Sequence, residues 1–140
     1  MNSDNKSFPS IESIPEIINS LLPETGQFLC DIIRFPSTPG EEGGVMEYLH
    51  ERFEKIGLVV DRIPLQDSLV NDPDYSDPIA GIHYSGRFNL RILRPGTGGK
   101  KTLLFNCHSD VVPASEGMEN AFQPVMNQGI IYGRGACDDK

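Results

Sequence analysis

The chain carries one near-continuous apolar run, Thr102-Leu103-Leu104-Phe105-Asn106-Cys107, followed directly by His108-Ser109-Asp110. Such a run is typical of a β-strand that is buried on both faces in the middle of a sheet. In open α/β sheets, ligand sites gather beyond the carboxyl ends of the strands. The position of His108 and Asp110 therefore predicts a site for chemistry where a central strand ends.

The patterns on either side of this run predict alternating helices and strands. Helical spacing of apolar residues predicts a short helix to about Leu22, a second over about 23–34 and a third over about 41–56. Strands are predicted from Leu58 and over Arg87–Leu93, where apolar and polar residues alternate, and the Pro-rich stretch between them predicts an irregular excursion. We therefore expect an α/β fold, with a mixed sheet flanked by helices, in one domain over residues 1–140.

Composition excludes several classes of partner. Twelve Lys and Arg stand against 20 Asp and Glu, a net charge of -8, so no basic stripe is available for nucleic acid. No apolar run approaches the length that crosses a bilayer, and we expect no membrane partner. The three cysteines form no CxxC pair, which fits a reducing compartment and predicts a cytoplasmic protein.

His108 and Asp110 have the spacing of a metal ligand and the residue that orients it. In an extended segment, side chains two residues apart project to the same face, about 6–7 Å apart at the α-carbons. A neutral imidazole can bind zinc through one nitrogen while a carboxylate on its other N–H fixes the ring. A histidine after an apolar strand also fits a purely structural role, and this spacing alone leaves both interpretations open.

A second segment of interest runs from Ile130 to Lys140. Its pattern predicts an apolar strand that enters a turn bracketed by Gly133 and Gly135 and presents the carboxylate of Asp138 just beyond it. An ordinary hairpin turn with solvated charges fits the same pattern. A structural zinc site of the two Cys and one His, Cys107, Cys137 and His108, also remains open, although the usual paired spacing is missing.

Taken in order, the segments resemble a known family. Residues 103–113, Leu-Leu-Phe-Asn-Cys-His-Ser-Asp-Val-Val-Pro, followed by residues 132–140, Tyr-Gly-Arg-Gly-Ala-Cys-Asp-Asp-Lys, resemble the zinc metallopeptidase family of acetylornithine deacetylase, succinyl-diaminopimelate desuccinylase, aminoacylases and carnosinase-like dipeptidases. The upstream stretches 34–42 and 86–90 resemble early landmarks of that family. The resemblance implies the N-terminal part of a zinc-exopeptidase-like catalytic domain, incomplete at its C-terminus.

The resemblance also implies a role for each candidate residue. His108 would bind one zinc ion, Asp110 would be the catalytic-site acid that orients this imidazole, and Asp138 would bridge two zinc ions. A carboxylate can span such a pair because its two oxygens can each hold one ion of a site whose metals lie about 3.5–4 Å apart. Two Zn²⁺ ions are the implied cofactors, with cobalt or manganese as alternatives.

The implied activity is hydrolysis of the amide bond of N-acyl amino acids, as in the deacetylase branch. A dipeptidase or carboxypeptidase activity is the alternative, and a non-catalytic truncated chain or binding module is the rival from another class. In the family, a Glu-Glu pair, a further acidic residue and a distant His complete the site, and a second, smaller domain makes the homodimer. The resemblance places all of these beyond Lys140, so the 140-residue chain alone is expected to be inactive.

Overall fold

The computed structural model describes residues 10–75, 79–96, 99 and 101–138. These residues form two α-helices, four short β-strands and two short 3₁₀-helices, Ile11–Ser13 and Asp67–Asn71. The main elements are α1 (Ile14–Ile33), α2 (Gly43–Lys55), β1 (Val60–Pro64), β2 (Phe88–Ile92), β3 (Val125–Asn127) and β4 (Ile130–Tyr132). None of the described helices is long and apolar enough to cross a membrane.

Helix α1 is one helix where the sequence predicts two. Pro15 lies in its first turn, where its missing N–H has no partner to lose. Pro23 lies in the helix interior, but it is exposed, so the carbonyl that loses its partner can bond to water. The helix ends at Ile33, as predicted from the prolines that follow, and buries only its last turn, through Cys30, Ile32 and Ile33.

Helix α2 confirms the prediction for residues 41–56 and packs on α1 through aromatic rings. The centroids of Phe28 and Tyr48 are 6.3 Å apart, and those of Phe28 and Phe53 are 6.4 Å apart. Phe35, just after α1, lies 5.3 Å from Tyr48. Offset and tilted pairs at these distances are favourable beyond the apolar area they bury. The two helices therefore form one layer, with Val45 of α2 fully buried beneath it.

The strands form two separate antiparallel pairs. Strand β1 pairs with β2, with Arg62 opposite Leu90, and β3 pairs with β4 as a hairpin, with Met126 opposite Ile131. Arg62 fastens the first pair to α2, because its guanidinium donates at 2.8 and 2.5 Å to the two carboxylate oxygens of Glu47. The α/β class and the strands near 58–60 and 87–93 are confirmed, whereas a single mixed sheet remains a prediction.

The predicted central strand over residues 102–107 is wrong for the described structure. Residues 101–110 belong to no strand or helix, and Leu103, Leu104 and Phe105 are 78%, 83% and 85% exposed. A strand is buried in a sheet only when neighbouring strands pair with it and other layers cover its faces. Within the described ranges, β1 to β4 pair among themselves, so nothing there covers this run.

The core lies where the end of α1 packs against α2 and against the segments that contain Val111 and Ala121. Its buried apolar residues include Ile33, Val45, Val111 and Ala121, and the fully buried Ser37 lies among them. The β3–β4 hairpin lies against α1 at two glycines. A β-carbon on Gly26 would lie 2.9 Å from the Met126 methyl group, and one on Gly133 would lie 2.7 Å from Ile33 Cγ2. Both predicted site segments therefore pack near the C-terminal end of α1.

Candidate metal centre

The first arm of the site is the segment 108–111, which Ser37 holds against the core. The Ser37 hydroxyl donates to the Ser109 carbonyl at 2.6 Å, and the Ser37 carbonyl accepts from the Val111 N–H at 2.9 Å. The Ser109 hydroxyl lies 3.2 Å from the sulfur of Met46 on α2. Because Val111 is buried and Ser109 is bonded on both sides, the backbone that carries His108 and Asp110 has a fixed course.

The second arm is the turn 133–138, which follows β4 as predicted. Gly133 packs on Ile33, and the Arg134 N–H donates to the Ala121 carbonyl at 2.7 Å. Gly135 has a φ of 84°, a left-handed conformation that suits glycine. The turn closes with an Asp138 N–H to Gly135 carbonyl contact of 3.4 Å. The last residues of the motif, 139 and 140, lie outside the described residues.

The two arms bring His108, Asp110 and Asp138 together. His108 Nδ1 lies 3.0 Å from the Asp110 carbonyl oxygen and 3.3 Å from Asp110 Oδ1. A carbonyl can only accept, so this contact requires the proton on Nδ1 and leaves the lone pair of a neutral ring on Nε2. Nε2 lies 3.6 Å from Asp138 Oδ1. The ring therefore has Asp110 on one nitrogen and Asp138 on the other.

This spacing fits two donors of one metal ion. With metal–donor distances of about 2.0–2.2 Å and tetrahedral angles, two donors on one zinc lie roughly 3.3–3.6 Å apart. The 3.6 Å from His108 Nε2 to Asp138 Oδ1 matches that range. Asp138 is 90% exposed and His108 46%, so both donors can be reached from solvent. The residues fit a ligand pair, and Asp110 stands where a partner of the imidazole N–H belongs.

The described residues supply a pair of ligands and no larger set. They contain no group of three or more His, Cys, Asp or Glu placed to hold a metal ion. Cys107 and Cys137 are both exposed, and within the described ranges they form no such group with His108. The two-cysteine alternative therefore finds no support there. A closed structural zinc site normally has four protein ligands, whereas a catalytic site has about three.

Shifted pKa values occur away from this pair of arms. Hydrogen bonds from the backbone N–H groups of Tyr84 and Ser85 lower the pKa of Asp67. A hydrogen bond to Tyr75, followed by partial burial, raises the pKa of Tyr84. Partial burial and then the charge of Asp31 raise the pKa of Tyr48. These groups belong to the β1–β2 excursion and to the helix pair, and each shift is explained by its local contacts.

Sequence reasoning missed the residues that support the arms. Ser37 lies in the segment Phe35-Pro36-Ser37-Thr38-Pro39-Gly40, which sequence analysis treats as a helix stop and an early landmark. A serine between two prolines that follow a helix predicts a turn, and nothing local indicates its partners 72 residues away at Ser109. The glycines of the second motif predicted a close approach at this turn, and the structure shows one at Gly133, but the sequence did not indicate that its partner is Ile33.

Comparison with known proteins settles the family. The sequence profile of peptidase family M20/M25/M40 matches residues 104–140, which include His108, Asp110 and Asp138. Residues 104–140 therefore belong to this family. The resemblance inferred from the two motifs is thereby confirmed, because the matched region contains both arms of the site.

Similarity to individual proteins extends over most of the chain. Succinyl-diaminopimelate desuccinylase of Methylorubrum populi is 34% identical over 112 residues, covering 78% of this chain and 25% of the relative. The protein of the same name from Variovorax paradoxus is 32% identical over 120 residues, covering 83% of this chain and 27% of the relative. The chain thus spans about a quarter of the length of these curated relatives.

Proposed function

We propose that the protein is a metal-dependent hydrolase of the M20/M25/M40 family that cleaves the amide bond of N-acyl amino acids. His108 and Asp138 would hold the metal, Asp138 would be shared between two ions, and Asp110 would orient His108. The observation that carries the proposal is the placement of His108 between the two carboxylates, within the segment that the family profile matches. Two Zn²⁺ ions are the proposed cofactors, with cobalt or manganese as alternatives.

Each residue has a task that follows from its chemistry. Asp110 accepts a hydrogen bond from the Nδ1–H of His108 at its carbonyl, with its carboxylate at 3.3 Å, so that Nε2 is left as the lone-pair donor. Asp138 has two carboxylate oxygens, and a carboxylate can hold one ion with each. When bound, the metal ions lower the pKa of a water molecule and polarise the scissile carbonyl. The described residues thus supply two proposed metal ligands, His108 and Asp138, and the group that orients one of them, Asp110.

The substrate class is the finer part of the proposal. The named relatives are desuccinylases of succinyl-diaminopimelate, so removal of an acyl group from an amino acid is the activity to test first. A dipeptidase activity is the second candidate, because the matched family is described as a peptidase family. A non-catalytic binding role is the third and predicts that no substrate is turned over.

The test is an assay of the protein as its gene encodes it. N-succinyl and N-acetyl amino acids and a panel of dipeptides are incubated with the protein, first with a chelator and then after addition of Zn²⁺, Co²⁺ or Mn²⁺. We expect metal-restored release of the free amino acid from the N-acyl substrates. His108→Ala should abolish it, whereas His83→Ala, which changes an exposed histidine outside both arms, should not.

Turnover that persists in the presence of the chelator, or in His108→Ala, would contradict the proposal. Turnover of dipeptides alone would support the peptidase alternative, and turnover of no substrate would support the binding role. We also propose a homodimer in the cytoplasm, as the family resemblance implies. Light scattering of the purified protein tests the dimer, and fractionation of the source cells tests the location.

A further inference from the structure

Ser37 is the one fully buried polar residue among the described residues that bonds to the arm carrying His108 and Asp110. It makes two hydrogen bonds to that arm, one from its hydroxyl to the Ser109 carbonyl and one from the Val111 N–H to its own carbonyl. The two bonds lie on either side of Asp110. Ser37 thus donates one hydrogen bond to the backbone of the arm and accepts one from it, as a residue of a paired β-strand does.

The contacts of Ser37 affect His108 through one peptide group, the one that joins Asp110 to Val111. The carbonyl of Asp110 and the N–H of Val111 belong to the same planar unit and point in opposite directions in a trans peptide. The N–H side is bound to the Ser37 carbonyl at 2.9 Å, and the carbonyl side is 3.0 Å from His108 Nδ1. Because the unit is rigid, holding one side sets the direction of the other. Ser37 therefore helps to decide which imidazole nitrogen carries the proton.

The Ser37 contacts matter because the described sheets do not hold the first arm. Residues 101–110 pair with no strand in the described part of the chain, so regular sheet hydrogen bonds do not fix the arm there. The second arm packs against the same end of α1. Its Gly133 contacts Ile33, which lies four residues before Ser37. One short stretch, 33–37, therefore contacts both arms.

We propose that Ser37 is a positioning residue of the metal site: its hydroxyl holds the Ser109 carbonyl and thereby keeps the Val111 N–H on the Ser37 backbone carbonyl, so that His108 keeps its proton on Nδ1 and directs Nε2 toward Asp138. The consequence for metal binding rests on the function proposed above, whereas the consequence for the imidazole tautomer does not. Ser37 contacts the backbone of the arm and neither of the two proposed ligand side chains in the contacts described. Its effect passes entirely through the backbone of residues 109–111.

The test compares Ser37→Ala with Ser20→Ala in the protein as its gene encodes it. Ser37→Ala removes the hydroxyl bond to the Ser109 carbonyl and keeps the Ser37 backbone carbonyl, so it asks whether the hydroxyl is needed to hold the arm. Ser20 is a matched control, because its hydroxyl also donates to a backbone carbonyl, that of Ile17 at 2.7 Å, but on the exposed part of α1. Ser37→Cys keeps the side-chain size with a weak donor and serves if Ser37→Ala does not fold, as judged by circular dichroism. Histidines are labelled with ¹⁵N, and the His108 signals are assigned by their loss in His108→Ala.

Two measurements are made on each variant. The first is the ¹⁵N spectrum of the metal-free protein at a pH where the ring is neutral, which gives the ratio of the Nδ1–H and Nε2–H tautomers. The second is the affinity for Co²⁺, followed by its visible absorption. We expect Ser37→Ala to move the tautomer ratio toward that of a solvated histidine and to weaken Co²⁺ binding about tenfold, the lower end for loss of a ligand-orienting contact. Ser20→Ala should change neither.

The outcomes separate this proposal from the metal site itself. An unchanged tautomer ratio in the folded Ser37 variant overturns the positioning role, whatever its Co²⁺ affinity. Equal Co²⁺ binding by wild type and His108→Ala refutes the proposed ligand, and the tautomer comparison still decides the role of Ser37.

Discussion

Replacement of Gly133 by alanine tests the contact that fixes the second arm. A β-carbon at this position would lie 2.7 Å from Cγ2 and 3.4 Å from Cδ1 of Ile33. Carbon atoms prefer about 3.5–4.0 Å, so the closer contact overlaps by roughly 1 Å. Ile33 is fully buried and cannot swing into solvent. The new methyl group must therefore displace the turn or strain the end of α1.

The size of the effect follows from two opposing terms. Overpacking in a core costs about 1–3 kcal/mol. Gly133 does not have a positive φ, so alanine can adopt its backbone conformation and recovers about 0.4–1 kcal/mol through the unfolded state. We expect Gly133→Ala to lower the free energy of unfolding by about 1–2 kcal/mol, measured by urea denaturation with circular dichroism.

Gly43→Ala is the matched control. No atom lies within 4 Å of a β-carbon at Gly43, the first residue of α2, so this variant should be as stable as wild type or up to about 1 kcal/mol more stable. In an Ile33→Ala background, which removes the clashing atom, the Gly133→Ala penalty should largely disappear. If Gly133→Ala were as stable as Gly43→Ala, the packing of the second arm on α1 would be refuted.

Three further predictions concern the site and its surroundings. Asp110→Asn should retain its metal, measured by mass spectrometry, yet lose about 10- to 100-fold in activity, because the backbone carbonyl contact stays but the carboxylate charge that raises the basicity of the imidazole is lost; full activity would make the Asp110 carboxylate incidental. Residues 1–140 alone, with added Zn²⁺, should hydrolyse no N-acyl amino acid or dipeptide, because the two candidate ligands found among the described residues cannot complete two catalytic zinc sites; metal-dependent turnover by this chain would show the site to be elsewhere. The pKa of Asp67 is lowered in the folded state, so its stabilisation is present above the ordinary pKa and is lost as pH falls through the folded value. An NMR titration of the Tyr84 amide should give a midpoint below 3.8, and the stability gap between wild type and Asp67→Ala should close at still lower pH; a midpoint at or above 3.8 would contradict the contact.

Local patterns predicted the elements that local contacts form. The apolar spacing from Val45 to Ile56 gave α2, and the alternation around Leu90 gave β2, because one face of each packs on the other. The division of α1 at Pro23 was wrong, because an exposed proline can remain in a helix whose freed carbonyl is solvated. Such an outcome depends on exposure, which the sequence does not reveal.

Long-range relationships were beyond the reach of the sequence. The run at Leu103 predicted a buried strand, but burial depends on partner strands, and the described residues offer none. The pairing of His108 with Asp110 followed from their spacing, whereas the approach of Asp138 across 30 residues followed only from the family resemblance. Ser37 was missed because its turn sequence explains its local conformation fully and gives no sign of Ser109.

Metal stoichiometry of ligand variants tests the central proposal most directly. Wild type, His108→Ala, Asp138→Ala and the control His83→Ala are purified as the gene encodes them, loaded with Zn²⁺, desalted and analysed for metal per chain. The account predicts two ions in wild type and His83→Ala, one fewer in His108→Ala, and disruption of both sites in Asp138→Ala, because that carboxylate is the proposed bridge. Unchanged zinc content in both His108→Ala and Asp138→Ala would contradict the assignment of this site.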